Sequence, residues 1–296
     1  MDERPEVQPK PAVKLFVKAG ADGMSYGACL NSQRLFMVLT LKAQGGALNY
    51  SVHAVNLSKP TEEFTTLGLH NLPAISYLYD HLDKVEDIVE YLDCHFYKVD
   101  LSYDNIIAAK ACKDFFPKFC FYIKSISKDA YGLTLELDRL DKYLSGRAVS
   151  KGPFLCGGRM THLDCEVLPK LQQIRVAGKA LKGFDIPETM LGLWSYLKAA
   201  YATEAFRDAC PSDEEILLHW MDRTEMTATV STPKRERSTL MDPPQQTHSF
   251  HTPLDSSPTE ISKSDTPKAA TSTTSSGPLP LSEEKERYEL KQVVLA

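Results

Sequence analysis

The chain is 296 residues long, room for two modest domains and a tail. A net charge of −5 gives no global attraction to nucleic acid or to an anionic membrane surface, so no nucleic-acid partner is expected. No stretch approaches the ~20 uninterrupted apolar residues of a membrane-spanning helix, so the chain is expected to be soluble.

Residues 1–12 are polar and proline-rich and predict a disordered leader without the apolar core of a secretory signal. Val13–Lys18 is a short apolar strand, residues 21–28 a glycine-bearing loop, and Ser32–Ala43 an amphipathic helix. Tyr50–Leu57 alternates with period two, which predicts a second strand with His53 facing away from the core. Ala74–Tyr79 reads as a third strand, and Val85–Leu92 as a second amphipathic helix with apolar Val85, Ile88, Val89 and Leu92. This βαβ start with a further strand and helix predicts a thioredoxin-like domain over residues 13–97.

From residue 98 the signal is helical. Ile106–Ile126, Leu133–Leu144, Leu163–Ala177 and Leu191–Tyr201 carry apolar residues three and four apart, and Pro117 is expected to kink or end the first of them. An all-α domain over 98–225 behind a small α/β domain is the arrangement of glutathione transferases. Residues 226–296 are dense in Ser, Thr and Pro and predict a disordered tail. That tail holds Thr232-Pro, Thr252-Pro, Ser257-Pro and Thr266-Pro pairs usable by proline-directed kinases. Glu283–Leu290 is expected to form a nascent helix, and Val293–Ala296 is a weak candidate for sheet-edge docking.

Cys29 is the leading functional candidate. It stands between the glycine loop and the first helix, where first-turn N–H groups and the helix dipole favour the thiolate. Cys29-Leu-Asn-Ser32 is the layout of a one-cysteine thiol–disulfide site; half-buried packing is the alternative for this residue. The seven cysteines lack framework spacing and predict reduced thiols in the cytoplasm. Cys94, Cys112, Cys120, Cys156, Cys165 and Cys210 are assigned mostly to core packing, and the histidines show no metal-ligand spacing. Thr161 and Asp164 stand three apart at the start of an apolar helix, a capping box with a structural role.

Several motifs resemble the chloride intracellular channel (CLIC) proteins, relatives of the omega-class glutathione transferases. They are Lys18-Ala-Gly-Ala-Asp-Gly23, Cys29-Leu-Asn-Ser32, Ser32-Gln-Arg-Leu-Phe-Met-Val-Leu39, Gly183-Phe-Asp-Ile-Pro-Glu188, Leu193-Trp-Ser-Tyr196 and Ala209-Cys-Pro-Ser-Asp213. Phe154-Leu-Cys-Gly157 ahead of Thr161 and Asp164 resembles the capping motif of the transferase fold. The resemblance covers residues 13–222, and the short Tyr143–Ser150 loop is typical of invertebrate members.

The resemblance implies glutathione as the ligand, with Leu30 and Ser32 beside Cys29, and Leu72 binding through its backbone ahead of a cis Pro73. The residues alone favour a trans, strand-start proline there. Asp83 stands one residue from the family's Thr-Asp pair; it either holds the γ-glutamyl end of glutathione or caps the helix. Leu30-Asn31 replaces the family's Pro-Phe. Three functions follow as expectations: glutathione-dependent exchange at Cys29, chloride conduction on membrane association, and scaffolding of cytoskeletal or membrane proteins, with kinases as further partners of the tail. The family's membrane window would carry Arg34 and Lys42 here, each costing roughly 2.5–3.5 kcal/mol at a bilayer centre, which favours the thiol function.

Overall fold

Val13, Leu15 and Val17 point to one face of the first strand and Phe16 to the other, and all four are buried, so the strand carries a core on each side. The computed structural model describes residues 12–146, 152–223 and 247–255. The four-stranded sheet runs in the order β2-β1-β3-β4, with β1 Ala12–Lys18, β2 Asn49–Val55, β3 Ala74–Tyr77 and β4 Asp80–Leu82. β1 and β2 are parallel, with Leu15 opposite Val52; β3 is antiparallel to β1 and to β4. Helix α1 (Leu30–Gln44) makes the β1–β2 crossover. It packs with α3 (Val85–His95) on the Leu15 face. The short α2 (Glu62–Thr66) puts Phe64 against Phe16 on the other. This is a thioredoxin-like half.

The helical half comprises α4 (Ile106–Ala111), α5 (Phe115–Ile123), α6 (Tyr131–Ser145), α7 (His162–Gln173), α8 (Lys179–Lys182), α9 (Leu191–Tyr201), α10 (Glu204–Ala209) and α11 (Asp213–Arg223). A π turn at Ile174–Gly178 joins α7 to α8. Together the halves form the glutathione-transferase arrangement. α1 is buried nearly all round, from Ser32 to Lys42, because α7 and α10 cover the side that the sheet leaves open.

Lys42 is fully enclosed. Its ammonium pairs with Asp93 at 2.8 Å and donates to the Phe96 and Val99 carbonyls. Asp93 continues to His162 Nε2 at 2.8 Å, and His162 N–H donates to the Leu101 carbonyl. This chain of polar contacts ties α1 and α3 to the start of α7.

Several expectations need correction. The first long helix breaks at residues 112–114, not at Pro117. Pro117 lies in the first turn of α5, where a missing N–H costs no intrahelical bond. The third strand ends at Tyr77, and Leu78, with φ +53°, turns the chain into β4. Cys94 is exposed rather than packed. His53 is half-buried, its ring 5.6 Å from that of Phe16 in the smaller core.

The tail expectation also changes. Thr247–Asp255 lies against the helical half and ends in a 3-10 turn at Pro253–Asp255. Phe250 gives this short stretch an apolar anchor, 5.1 Å from the Tyr201 ring. The leader before residue 12, the 147–150 loop, Thr232, Ser257, Thr266 and the 283–296 end lie outside the described residues.

Candidate functional site

Cys29 is the N-cap residue of α1, with extended backbone angles of φ −97° and ψ 116° and no capping hydrogen bond from its side chain. Its carbonyl accepts from Gln33 N–H at 3.0 Å, which starts the helix, while its own N–H donates to Gly27 O at 2.8 Å. The residue is half-buried.

The loop that delivers it folds through glycines. Ala19 and Tyr26 form an isolated bridge, and Gly27 N–H donates to the Lys18 carbonyl at 2.8 Å. A Cβ at Gly27 would sit 2.6 Å from the Ala19 carbonyl oxygen, so only glycine allows this approach. A Cβ at Gly20 would sit 2.6 Å from the Glu215 carboxylate, which accepts from Ala21 N–H. From the helical side, Gln173 Nε2 donates to the Ala28 carbonyl at 3.3 Å, and Trp220 Nε1 donates to Gln173 Oε1 at 3.1 Å. The residue before Cys29 is therefore held by the second half of the molecule.

A cleft of about 490 Å³ opens beside the cysteine. Lys18 and the glycine loop form one wall, Val55–Ser58 and Leu72 a second, and Glu215, Leu218 and His219 of α11 a third. Burial, reinforced by the Arg223 and Lys18 charges, lowers the His219 pKa to about 4, so its imidazole is neutral at pH 7. Burial raises the Glu215 carboxyl above its usual range.

Of the sequence-derived candidates, Cys29 and Leu72 line this cleft. The Leu72-Pro73 bond is cis, and Pro73 is buried behind Leu72. Leu30 packs against the main core. Ser32 is buried, and its hydroxyl accepts from Lys18 N–H at 3.3 Å, tying β1 to α1.

Asp83 is not the helix cap, because Lys84 holds that place. Its Oδ2 accepts from the N–H groups of His70 and Asn71 and from the Asn71 amide, all within 3.1 Å. Burial works against the charge of Asp83, but these bonds still hold its pKa below the usual value. Asp83 thus organises the loop that leads to Leu72. Thr161 and Asp164 form a capping box away from the cleft. The Asp164 carboxylate also accepts from Leu155 N–H and the Tyr196 hydroxyl.

Sequence reading missed the third wall. Glu215 and His219 are a helical turn apart, but nothing local shows that α11 folds back over the β1–α1 loop. Among the described residues, no group of His, Cys, Asp and Glu is arranged to hold a metal ion.

A family profile described as the CLIC-like N-terminal domain matches residues 11–97. Over 239 residues the chain is 34% identical to chloride intracellular channel exl-1 of Caenorhabditis elegans, covering 78% of this chain and 95% of that relative. The chain belongs to the chloride intracellular channel family. Among solved structures, the CLIC homologue EXC-4 of C. elegans aligns with a TM-score of 0.69 at 26% identity, covering 83% of this chain and 96% of that one. Chlamydomonas reinhardtii dehydroascorbate reductase shares the fold, with a TM-score of 0.59 at 21% identity over 71% of this chain and 98% of that one. No helix among the described residues of this CLIC protein is long and apolar enough to cross a membrane.

Proposed function

We propose that this CLIC protein carries out glutathione-dependent thiol–disulfide exchange at Cys29. The observation that carries the proposal is a half-buried cysteine at an uncapped helix start, opening onto a cleft of about 490 Å³. That volume lies within the range of small-molecule sites, roughly 300–1,000 Å³.

In this reading the Cys29 sulfur attacks one sulfur of a mixed disulfide between glutathione and a substrate. The S–S bond breaks, Cys29 keeps the glutathionyl group, and the substrate leaves as a thiolate that takes a proton. A second glutathione thiolate then attacks the sulfur joined to Cys29, which releases glutathione disulfide and restores the free thiol. Two electrons pass from glutathione to the substrate. Among the seven cysteines, none but Cys29 lies in the motif, so the resolving thiol comes from glutathione.

Lys18 supplies a cation for a glutathione carboxylate, and Leu72 offers its main chain. Leu30 and Ser32 act by fixing the first turn of α1, Pro73 by fixing the strand entry, and Asp83 by holding the 70–71 loop. His219 offers an imidazole held neutral by burial, a hydrogen-bonding group rather than a charge at the cleft wall. The test is reduction of a small glutathione mixed disulfide by purified protein. The wild type should turn over with glutathione, and Cys29→Ser should be inactive. Equal rates in both would remove the proposal.

A second reading, chloride conduction on membrane association from a cytoplasmic pool, takes its support from the name of the C. elegans relative. It would require Lys42 to leave its buried pair with Asp93. Bilayer recordings with wild type and Arg34→Glu test it, since a pore formed through α1 should change its anion selectivity in the variant. The third reading, scaffolding of cytoskeletal or membrane proteins, predicts binding that survives Cys29→Ser and is lost on deletion of the tail.

A further inference from the structure

The segment Thr247–Asp255 is bound to the helical half as a peptide ligand would be. The Thr247 carbonyl accepts from Asp213 N–H at 3.0 Å. Ser249 donates through both N–H and hydroxyl to the Asp213 carboxylate, at 3.1 and 2.6 Å. Arg175 donates to the Ser249 and His251 carbonyls. The Phe250 ring stands 5.1 Å from Tyr201 and 6.0 Å from Phe206. At the far end, Lys198 pairs with Asp255 at 2.7 Å and donates to the Leu254 carbonyl.

Thr252 closes this strap. It is only 5% exposed. Its N–H and its hydroxyl both donate to Asp255 Oδ2, at 2.7 and 2.8 Å. Pro253 follows immediately, so Thr252 belongs to the one Thr-Pro pair among the described residues.

We propose that Thr252 is a phosphorylation site and that its modification releases the strap from the helical half. A proline-directed protein kinase supplies the phosphoryl group from ATP. Thr252 Oγ1 bonds to the γ-phosphorus, the bond from that phosphorus to the oxygen of ADP breaks, and the hydroxyl proton passes to the kinase's base.

The product cannot keep the present geometry. The hydroxyl donor to Asp255 is gone, and a group of about −1.5 to −2 charge stands where that hydroxyl met a carboxylate. The hydrogen bond from Lys198, and then those from Thr252, hold Asp255 far below the usual carboxylate range, so it is ionised and repels the phosphate. The cations around Thr252 are already engaged: Lys198 with Asp255, Lys179 with Asp185 at 2.6 Å, and Arg175 with two carbonyls and the Tyr201 hydroxyl. Asp213 and Glu188 add further negative charge around the cavity of about 470 Å³ that Thr252 lines.

The same burial sets the order of events. A kinase needs an extended, accessible substrate, so it acts on Thr252 only when the strap is off, and phosphate then blocks its return. Release uncovers Arg175, Tyr201 and Phe206.

The experiment incubates the full chain with a proline-directed serine/threonine kinase and MgATP. Site occupancy is followed by peptide mass spectrometry, and backbone exchange of 247–255 by hydrogen–deuterium exchange. Phe250→Ala loosens the strap without touching the Thr-Pro pair. Phosphate should enter Thr252 about tenfold faster in that variant, the factor equivalent to ~1.4 kcal/mol of lost docking, while the rate at Thr232 stays the same. Phosphorylated wild type should lose exchange protection at Ser249 and Thr252. Two results would overturn the proposal. One is failure of Thr252 to accept phosphate in Phe250→Ala while Thr232 does. The other is full or increased protection of a phosphorylated strap, which would mean capture by Arg175 and Lys179.

Discussion

The N-terminal caps of α7 and α1 are finished in opposite ways. At α7, Thr161 N–H and hydroxyl both donate to Asp164 Oδ2, and Oδ1 of the same carboxylate accepts from Leu155 N–H and the Tyr196 hydroxyl. The assembly is buried, and the polar contacts are spent on the fold itself. At α1, Cys29 makes no capping bond, is half-buried, and faces a cleft. A closed helix start serves the fold, whereas an open one leaves backbone donors and dipole facing a ligand. Residue type alone does not separate these two roles; saturated hydrogen bonds at Thr161 and a cleft beside Cys29 do.

That contrast can be broken from either end. The largest effect is expected from Cys29→Ser, which should abolish exchange activity while changing stability by less than about 0.5 kcal/mol, as measured by turnover and urea unfolding. Asp164→Ala should do the reverse. It strands buried donors at Thr161, Leu155 and Tyr196, so unfolding free energy should fall by roughly 3 kcal/mol or more. Activity per folded molecule should be retained.

Gln173→Ala falls between them, because Gln173 joins Ala28 to Trp220. It should cost about 1–2 kcal/mol and slow exchange severalfold, since the residue before Cys29 loses its anchor in the helical half. The smallest effect is a pH dependence. Above about 6.5 His219 is neutral in both the folded and unfolded chain and contributes nothing. As pH falls from 6.5 towards 4, the unfolded chain binds a proton that the folded chain refuses, so stability declines. His219→Gln should flatten that decline, with a melting-temperature difference of a few degrees near pH 5.

Much of the fold was legible in the sequence, because the relevant signals are local. The apolar run of β1, the second strand read from Tyr50 onward, the three-and-four spacing of α6 and α9, and the Thr161–Asp164 spacing mark elements that form where they were expected. The short elements were not legible. α2 is five residues and β4 three, too short for any period to register. The helix break at residues 112–114 contains no proline or glycine, and Pro117 misdirects because a first-turn proline and an interior one look alike in sequence. The α11 wall of the cleft and the docked strap are long-range features. Glu215 reaches Ala21 across 194 positions, and Arg175 reaches Ser249 across 74. A charged residue on a helix gives no sign of such a partner.

The most direct measurement of the central claim is intact-mass and peptide mapping of the reduced protein exposed to glutathione disulfide, with Cys29 and Cys94 compared. Both thiols reach solvent, but Cys29 alone stands at the cleft. The account predicts one glutathione per chain, on Cys29, formed well before any adduct on Cys94 and absent in Cys29→Ser. Equal labelling of the two cysteines, or faster labelling of Cys94, would show that the cleft confers no selectivity and would contradict the account.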